Sequence, residues 1–164
     1  MRRPWPDLGT YVAELERLGE LKRVRVEVDP KFEVAEIVQR VVRQGGPALL
    51  FERVKGARFP LVMDLFGSER RIELALGRHP QEIGQELVAL IQRLNPPSLK
   101  AFWAARGQLL RARHLRPRMV GSAPVQQVVE DPALTTLPNL WSWPRDGGPF
   151  ITWGPTLTTS PVNG

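Results

Sequence analysis

Apolar positions in the first half of the chain alternate between two periods. Leu8, Tyr11, Val12, Leu15 and Leu18 share one helical face, with Asp7 placed to cap it and Gly19 to stop it, so 7–18 predicts an amphipathic helix. In 21–28 the period drops to two. Val24, Val26 and Val28 alternate with polar residues, which predicts a half-buried strand ended by Asp29-Pro30. Val34, Ile37, Val38 and Val41 restore the helical period over 33–43, and Gly45-Gly46-Pro47 closes it. The short apolar run 48–53 predicts a strand inside a sheet, and Lys55-Gly56 a turn into a second strand at 60–65, making a hairpin. Residues 68–76 predict a short helix ended by Gly77. Pro80, at a first helical position where its missing N–H is harmless, opens a longer helix through Arg93 with Ile83, Leu87, Leu90, Ile91 and Leu94 inward. Asn95-Pro96-Pro97-Ser98 breaks the chain before a further helical segment at 99–112. Short alternating elements of this kind predict an α/β (α+β) domain with a small mixed sheet.

Helical periodicity disappears near Arg113. Residues 124–129 predict a strand, 134–140 a connection, and 150–158 a strand rich in threonine and aromatics. Two strands and a long loop leave their own edges unpaired. A second, β-rich domain is therefore expected to begin here, with 1–113 as the first domain and 114–164 as the incomplete start of the next. Between its strands, 137–154 carries Trp141, Trp143 and Trp153 with Pro138, Pro144, Pro149 and Gly147-Gly148. Proline blocks a helix there, so 143–149 reads as a shaped loop delivering the chain into a strand. Such a loop suits a hydrophobic corner of a β-core and a binding site equally well. Gly147 and Gly148 allow a tight turn or close approach to a ligand, and Thr152 offers a hydroxyl.

Composition narrows the class. With 42% hydrophobic and 24% charged residues in 164, the chain reads as a globular protein of one domain or slightly more. No apolar run reaches bilayer length, and the N-terminus lacks the apolar core of a secretory signal. Cysteine is absent, which excludes disulfides, thiolate metal sites and a cysteine nucleophile, and fits a cytoplasmic location. The net charge of +6 is concentrated at Lys100, Arg106, Arg111, Arg113, Arg116 and Arg118, a stretch without an acidic residue. That cluster suits RNA or another anionic partner, or a solvated helix face. Phe102 and Trp103 beside Arg106 can stack bases or serve as core.

Familiar site patterns are missing. His79 and His114 are the only histidines, far apart and without a carboxylate pair, and His79 before Pro80 reads as a helix cap or surface residue. Neither a dinucleotide fingerprint, a Walker loop nor a nucleophile elbow occurs. Asp7, Glu33, Glu36, Asp64 and Glu69 read as caps and surface charges.

The ordered set of short blocks nevertheless resembles one family. The blocks are Asp7-Leu-Gly-Thr-Tyr-Val, Glu27-Val-Asp-Pro30, Gly46-Pro-Ala-Leu-Leu-Phe-Glu52, Leu65-Phe-Gly-Ser-Glu-Arg-Arg71, Leu137-Pro, Trp143-Pro, Asp146-Gly-Gly-Pro-Phe-Ile-Thr152 and Ser160-Pro. Together they resemble the UbiD family of prenylated-flavin-dependent decarboxylases. The resemblance implies an N-terminal α/β region followed by the entry strands of a split β-barrel that binds prenylated FMN. It also implies a divalent metal, manganese or magnesium, often with potassium, and an oligomeric enzyme removing CO₂ from aromatic or α,β-unsaturated acids. An example is the 4-hydroxybenzoate-type step of ubiquinone and menaquinone biosynthesis. The family's metal-ligating Asn and catalytic Arg follow the turn matching 160–164, so the resemblance places no catalytic or metal residue in this chain. Asn163 precedes that turn's Gly and falls short of the ligand position. The cofactor side carries over to Thr152, flanked by Ile151 and Trp153. The isolated chain is expected to be inactive and to hold no cofactor tightly.

Overall fold

The structure, a computed structural model, describes residues 5–95, 98, 103–104, 106–107, 110, 119–131 and 133–151. The elements run α1 (Leu8–Arg17), β1 (Leu21–Val28), α2 (Glu33–Arg43), β2 (Ala48–Val54), β3 (Leu61–Met63), α3 (Glu69–Leu76) and α4 (Pro80–Leu94). Two compact units form: Met1–Arg71 with Pro132–Gly164, and Ile72–Asp131.

The first unit is built on a three-stranded mixed sheet in the order β1-β2-β3. β1 and β2 are parallel and joined through α2, while β2 and β3 form the antiparallel hairpin expected around Lys55-Gly56. Val28, Val34, Leu49, Phe51 and Val54 make the buried cluster under α2, with Ile37, Val38, Val41, Leu61 and Met63 packed around it. Leu140, from far along the chain, is 2% exposed in the same cluster. Tyr11, Leu15, Leu21, Ala48 and Leu65 are buried outside that cluster. The α/β reading with a small mixed sheet therefore holds.

One strand departs from its simple alternation. Val24 pairs with Phe51 but Glu27 with Arg53, so β1 carries one extra residue between them. This bulge turns Val26 out to 68% exposure while Val24 and Val28 stay inward.

α1 shows how local chemistry sets a boundary. Asp7 Oδ1 accepts the Thr10 amide at 2.7 Å and its hydroxyl at 2.9 Å. At the other end, Gly19 sits at φ +74 while Gly19 N and Glu20 N donate to Glu16 O and Leu15 O, closing the last turn. The Thr10 N–H holds the Asp7 carboxyl below its ordinary range. A lowered carboxyl pKa stabilises the fold above the unfolded value, and that contribution fades as pH falls through the folded one. Amide protection factors in the first turn of α1, taken against the intrinsic exchange rate at each pH, should fall below about pH 4, and Asp7→Ala should abolish that acid dependence.

In the second unit, α4 is capped by His79, whose Nδ1 accepts the Gln81 amide at 3.2 Å, as its place before Pro80 suggested. Arg78 reaches down the helix to Glu86 at 2.8 Å. The expected inner face is corrected: no residue of α4 is buried, and Leu87 and Ile91 are exposed. The strand expected at 124–129 is also corrected. Pro124–Gln126 is one 3₁₀ turn, and Val125, Val128 and Val129 are exposed, because Pro124 pre-sets a turn and no partner strand lies beside it among the described residues. The further helix at 99–112 and the boundary near 113 fall largely or wholly outside the described residues, as does the basic cluster except Arg106. The Arg106 guanidinium donates to Trp103 O at 2.9 Å and lies over the Trp103 ring.

Candidate functional site

The Trp-rich loop is fixed to the first unit at its base. Leu140 N donates to Phe150 O at 3.1 Å and Phe150 N to Leu140 O at 2.8 Å, closing the loop 141–149. Trp141 pairs in parallel with Lys31: its N–H donates to Pro30 O at 3.2 Å and its carbonyl accepts from Phe32 N at 2.8 Å. Inside the loop, Asp146 Oδ2 accepts the Trp143 amide and Asp146 N donates to Trp143 O, which sets a tight turn after Pro144. Gly148 at φ +153 then swings the chain back, a conformation that requires glycine.

This docking is held by a strained residue. Phe32 has φ +70 and ψ −37, with Glu33 N donating to Lys31 O at 2.9 Å, a γ-turn of the unfavourable hand. The turn places the Phe32 ring edge-on to Trp141 at 5.9 Å, and Lys31 Nζ lies 4.5 Å from the Trp141 ring centre. Phe32→Gly should cost less stability than Phe32→Ala by about 1 kcal/mol, since both lose the ring but only glycine relieves the backbone. Urea denaturation of the two variants measures that order.

Beside this base runs a cleft of about 410 Å³. One wall is 61–65, the edge strand β3 and the two residues after it. The other is 137–140 with Phe150 and Ile151. Ile151, half exposed, is thus brought to the cleft, while Thr152 and Trp153 lie outside the described residues.

Asp64, read from sequence as a cap or surface charge, is instead a half-buried cleft residue. Its φ is +61, and Oδ2 accepts from Arg71 Nη2 at 2.9 Å. A Cβ on Gly67 would collide with its carboxylate, so glycine is required there. Arg71 is 2% exposed and donates also to Glu20 Oε2 at 3.3 Å and Gly46 O at 3.2 Å, while Tyr11 OH donates to Arg71 O at 2.7 Å. Burial pushes the Asp64 carboxyl above its ordinary range, against the pull of Arg71. The block 65–71 marks the family but not this knot: Arg70 and Arg71 look alike in it, yet the Arg70 side chain is 62% exposed.

Two family models match the chain in order. The 3-octaprenyl-4-hydroxybenzoate carboxy-lyase N-terminal domain matches residues 12–91, and the Rift-related domain of the same carboxy-lyase matches residues 118–164. The chain belongs to the UbiD family. Among similar solved structures is the closed form of vanillic acid decarboxylase from Sedimentibacter hydroxybenzoicus. It is 25% identical, with a TM-score of 0.62, over 88% of this chain and 29% of that one. An evolved dimeric form of the UbiD-class enzyme HmfF from Pelotomaculum thermopropionicum, in complex with prFMN, is 39% identical over 50% of this chain and 19% of that one, with a TM-score of 0.43. The chain thus spans less than a third of the length of either structure.

The described lining fits only part of the flavin that the family implies. Apolar walls suit a flat ring, but no cation lines the cleft among the described residues to meet a phosphate. Nor do the described residues bring together three side chains of the histidine, cysteine, aspartate or glutamate type that would hold a metal. The described residues therefore fit neither the whole cofactor nor its metal. No helix among them is long and apolar enough to cross a membrane.

Proposed function

We propose that this chain is the N-terminal part of a prenylated-FMN-dependent, non-oxidative decarboxylase acting on aromatic or α,β-unsaturated carboxylic acids. The 4-hydroxybenzoate type, in quinone biosynthesis, is the leading class. The observation that carries the reading is the ordered match of both UbiD domain models along one chain. Residues 1–113 form the N-terminal domain, and 114–164 begin the flavin-binding barrel. In this reading Ile151, Thr152 and Trp153 make the wall that the cofactor meets, and the chain supplies shape and water exclusion. The prenylated flavin, with manganese or magnesium and potassium, supplies the electron sink for loss of CO₂ when bound. The working enzyme is a cytoplasmic homo-oligomer.

A chimaera tests this. The 164-residue chain replaces the matching segment of a UbiD-class enzyme, and the product is assayed for retained flavin absorbance and CO₂ release. Retention of both is expected, with neither shown by the 164-residue chain alone under the same loading. A folded chimaera that retains no flavin removes the reading. Flavin retention and turnover by the chain alone removes the clause that it is inactive by itself.

A further inference from the structure

α4 separates its apolar and charged residues onto opposite faces. Gly84, Leu87, Val88 and Ile91 stand at i, i+3, i+4 and i+7, so they form one stripe along the helix. Leu87 is 55%, Val88 53% and Ile91 66% exposed. Beyond its own helix backbone, nothing lies within 4 Å of a Cβ built on Gly84. Glu82, Glu86 and Arg93, the charged residues of α4, fall about half a turn away on the opposite face. The stripe is flanked by Gln81, Gln85 and Gln92 on one side and by half-buried apolar residues on the other. An exposed apolar stripe of this kind, rimmed on one side by amides, is the pattern of a contact surface.

The spacing is its own complement. Two copies laid antiparallel, with a two-fold axis between Leu87 and Val88, set Gly84 of each opposite Ile91 of the other and Leu87 opposite Val88. The position without a side chain then receives the most exposed one, and the two helix dipoles run in opposite directions. A parallel pair would face Gly84 with Gly84, leaving a gap, and crowd Ile91 against Ile91. No like charges meet in the antiparallel seam. Two glutamates against one arginine leave α4 with a net negative charge, which gives an anionic membrane no hold on it.

We propose that α4 is a self-association surface, an antiparallel helix pair between two copies of this chain. It supplies a contact for the homo-oligomer of the proposed enzyme and in that respect rests on that reading, while the pairing itself is measured without flavin or turnover. A helix of 15 residues is about 22 Å long, so one pair buries less than the ~1,200 Å² of a stable interface and the dimer is weak.

Sedimentation equilibrium of the 164-residue chain is expected to show a concentration-dependent monomer–dimer mixture. Leu87→Gln with Ile91→Gln, both at exposed positions, should weaken it by about tenfold or more. Gly84→Ile should weaken it too, although it adds apolar surface, whereas a merely sticky face would associate more strongly. Adding Ile91→Gly to Gly84→Ile exchanges the two positions, keeps the match and should restore the dimer. Because the chain has no cysteine, single cysteines report the orientation. Val88→Cys beside the axis should cross-link with a short bismaleimide, and Gln81→Cys, about 20 Å from its copy, should not. Cross-linking at both positions, or tighter association of Gly84→Ile, overturns the antiparallel pair. A chain that stays monomeric at every concentration, or one that instead sediments with phosphatidylcholine vesicles through Leu87 and Ile91, overturns self-association and leaves the flavin reading to the chimaera.

Discussion

Arg71→Met should be the most damaging single polar substitution in the first unit, with an expected loss of about 3–5 kcal/mol. The guanidinium is buried and faces two carboxylates, Asp64 Oδ2 at 2.9 Å and Glu20 Oε2 at 3.3 Å, as well as the Gly46 carbonyl. Methionine fills comparable space but takes the buried cation from Asp64 and leaves Glu20 only the exposed Arg70. The penalty arises from that stranded charge more than from the bonds themselves, because the intact network repays a large desolvation cost. Two controls separate the causes. Arg70→Met touches the same Glu20 at 3.2 Å from an exposed position and should cost less than about 1 kcal/mol. Adding Asp64→Asn and Glu20→Gln to Arg71→Met should recover part of the loss, since neutral amides tolerate burial better than unpaired acids. Urea unfolding followed through amide exchange of β1 and β2 reads the first unit directly. Equal losses for Arg70→Met and Arg71→Met would show that burial is not what makes Arg71 important.

Periodicity made α1, β1, α2, β2 and the hairpin into β3 legible, because in each a helical or alternating apolar pattern coincides with a cap, a glycine or a proline. Local punctuation therefore agreed with burial. Val26 was misplaced because a bulge depends on how two strands align, which β1 alone does not encode. The face of α4 failed differently: its apolar stripe is real, but a stripe states what can be buried and not what covers it. At 124–129 the β-branched residues suggested a strand, yet Pro124 imposes a turn and no strand pairs there among the described residues. The site was legible only in outline. The run of tryptophan, proline and glycine marked a shaped loop, and Ile151 does line the cleft. Asp64 and Arg71 were hidden because seven residues of separation say nothing about a guanidinium reaching a carboxylate across a turn. Only the left-handed backbone at Asp64 and the space above Gly67 bring them together.

Leu140→Ala should release the Trp-rich loop from the sheet and cost about 2–5 kcal/mol. Leu140 is the one residue of its segment in the buried cluster with Val28, Val34, Leu49, Phe51 and Val54. Its backbone also closes the loop through the paired bonds to Phe150, so the side chain and the loop base are one construction. Trimming the isobutyl side chain to a methyl leaves a cavity beneath α2 and weakens the anchor from which Trp141 reaches Pro30 and Phe32. The remaining ties include the two backbone bonds of Trp141, the Arg58 N–H to Thr136 O, the edge-on ring contact and Lys31 over the Trp141 ring, each worth roughly 1 kcal/mol. Loss of the anchor should therefore show locally before the sheet unfolds: amides of Phe32 and Phe150 should exchange faster while those of β2 stay protected. Leu134→Ala, at a position 65% exposed in the same segment, should change stability by less than about 0.5 kcal/mol. Unchanged exchange at Phe32 and Phe150 in Leu140→Ala would mean that the strained γ-turn and the Lys31–Trp141 pair hold the loop without help from the core.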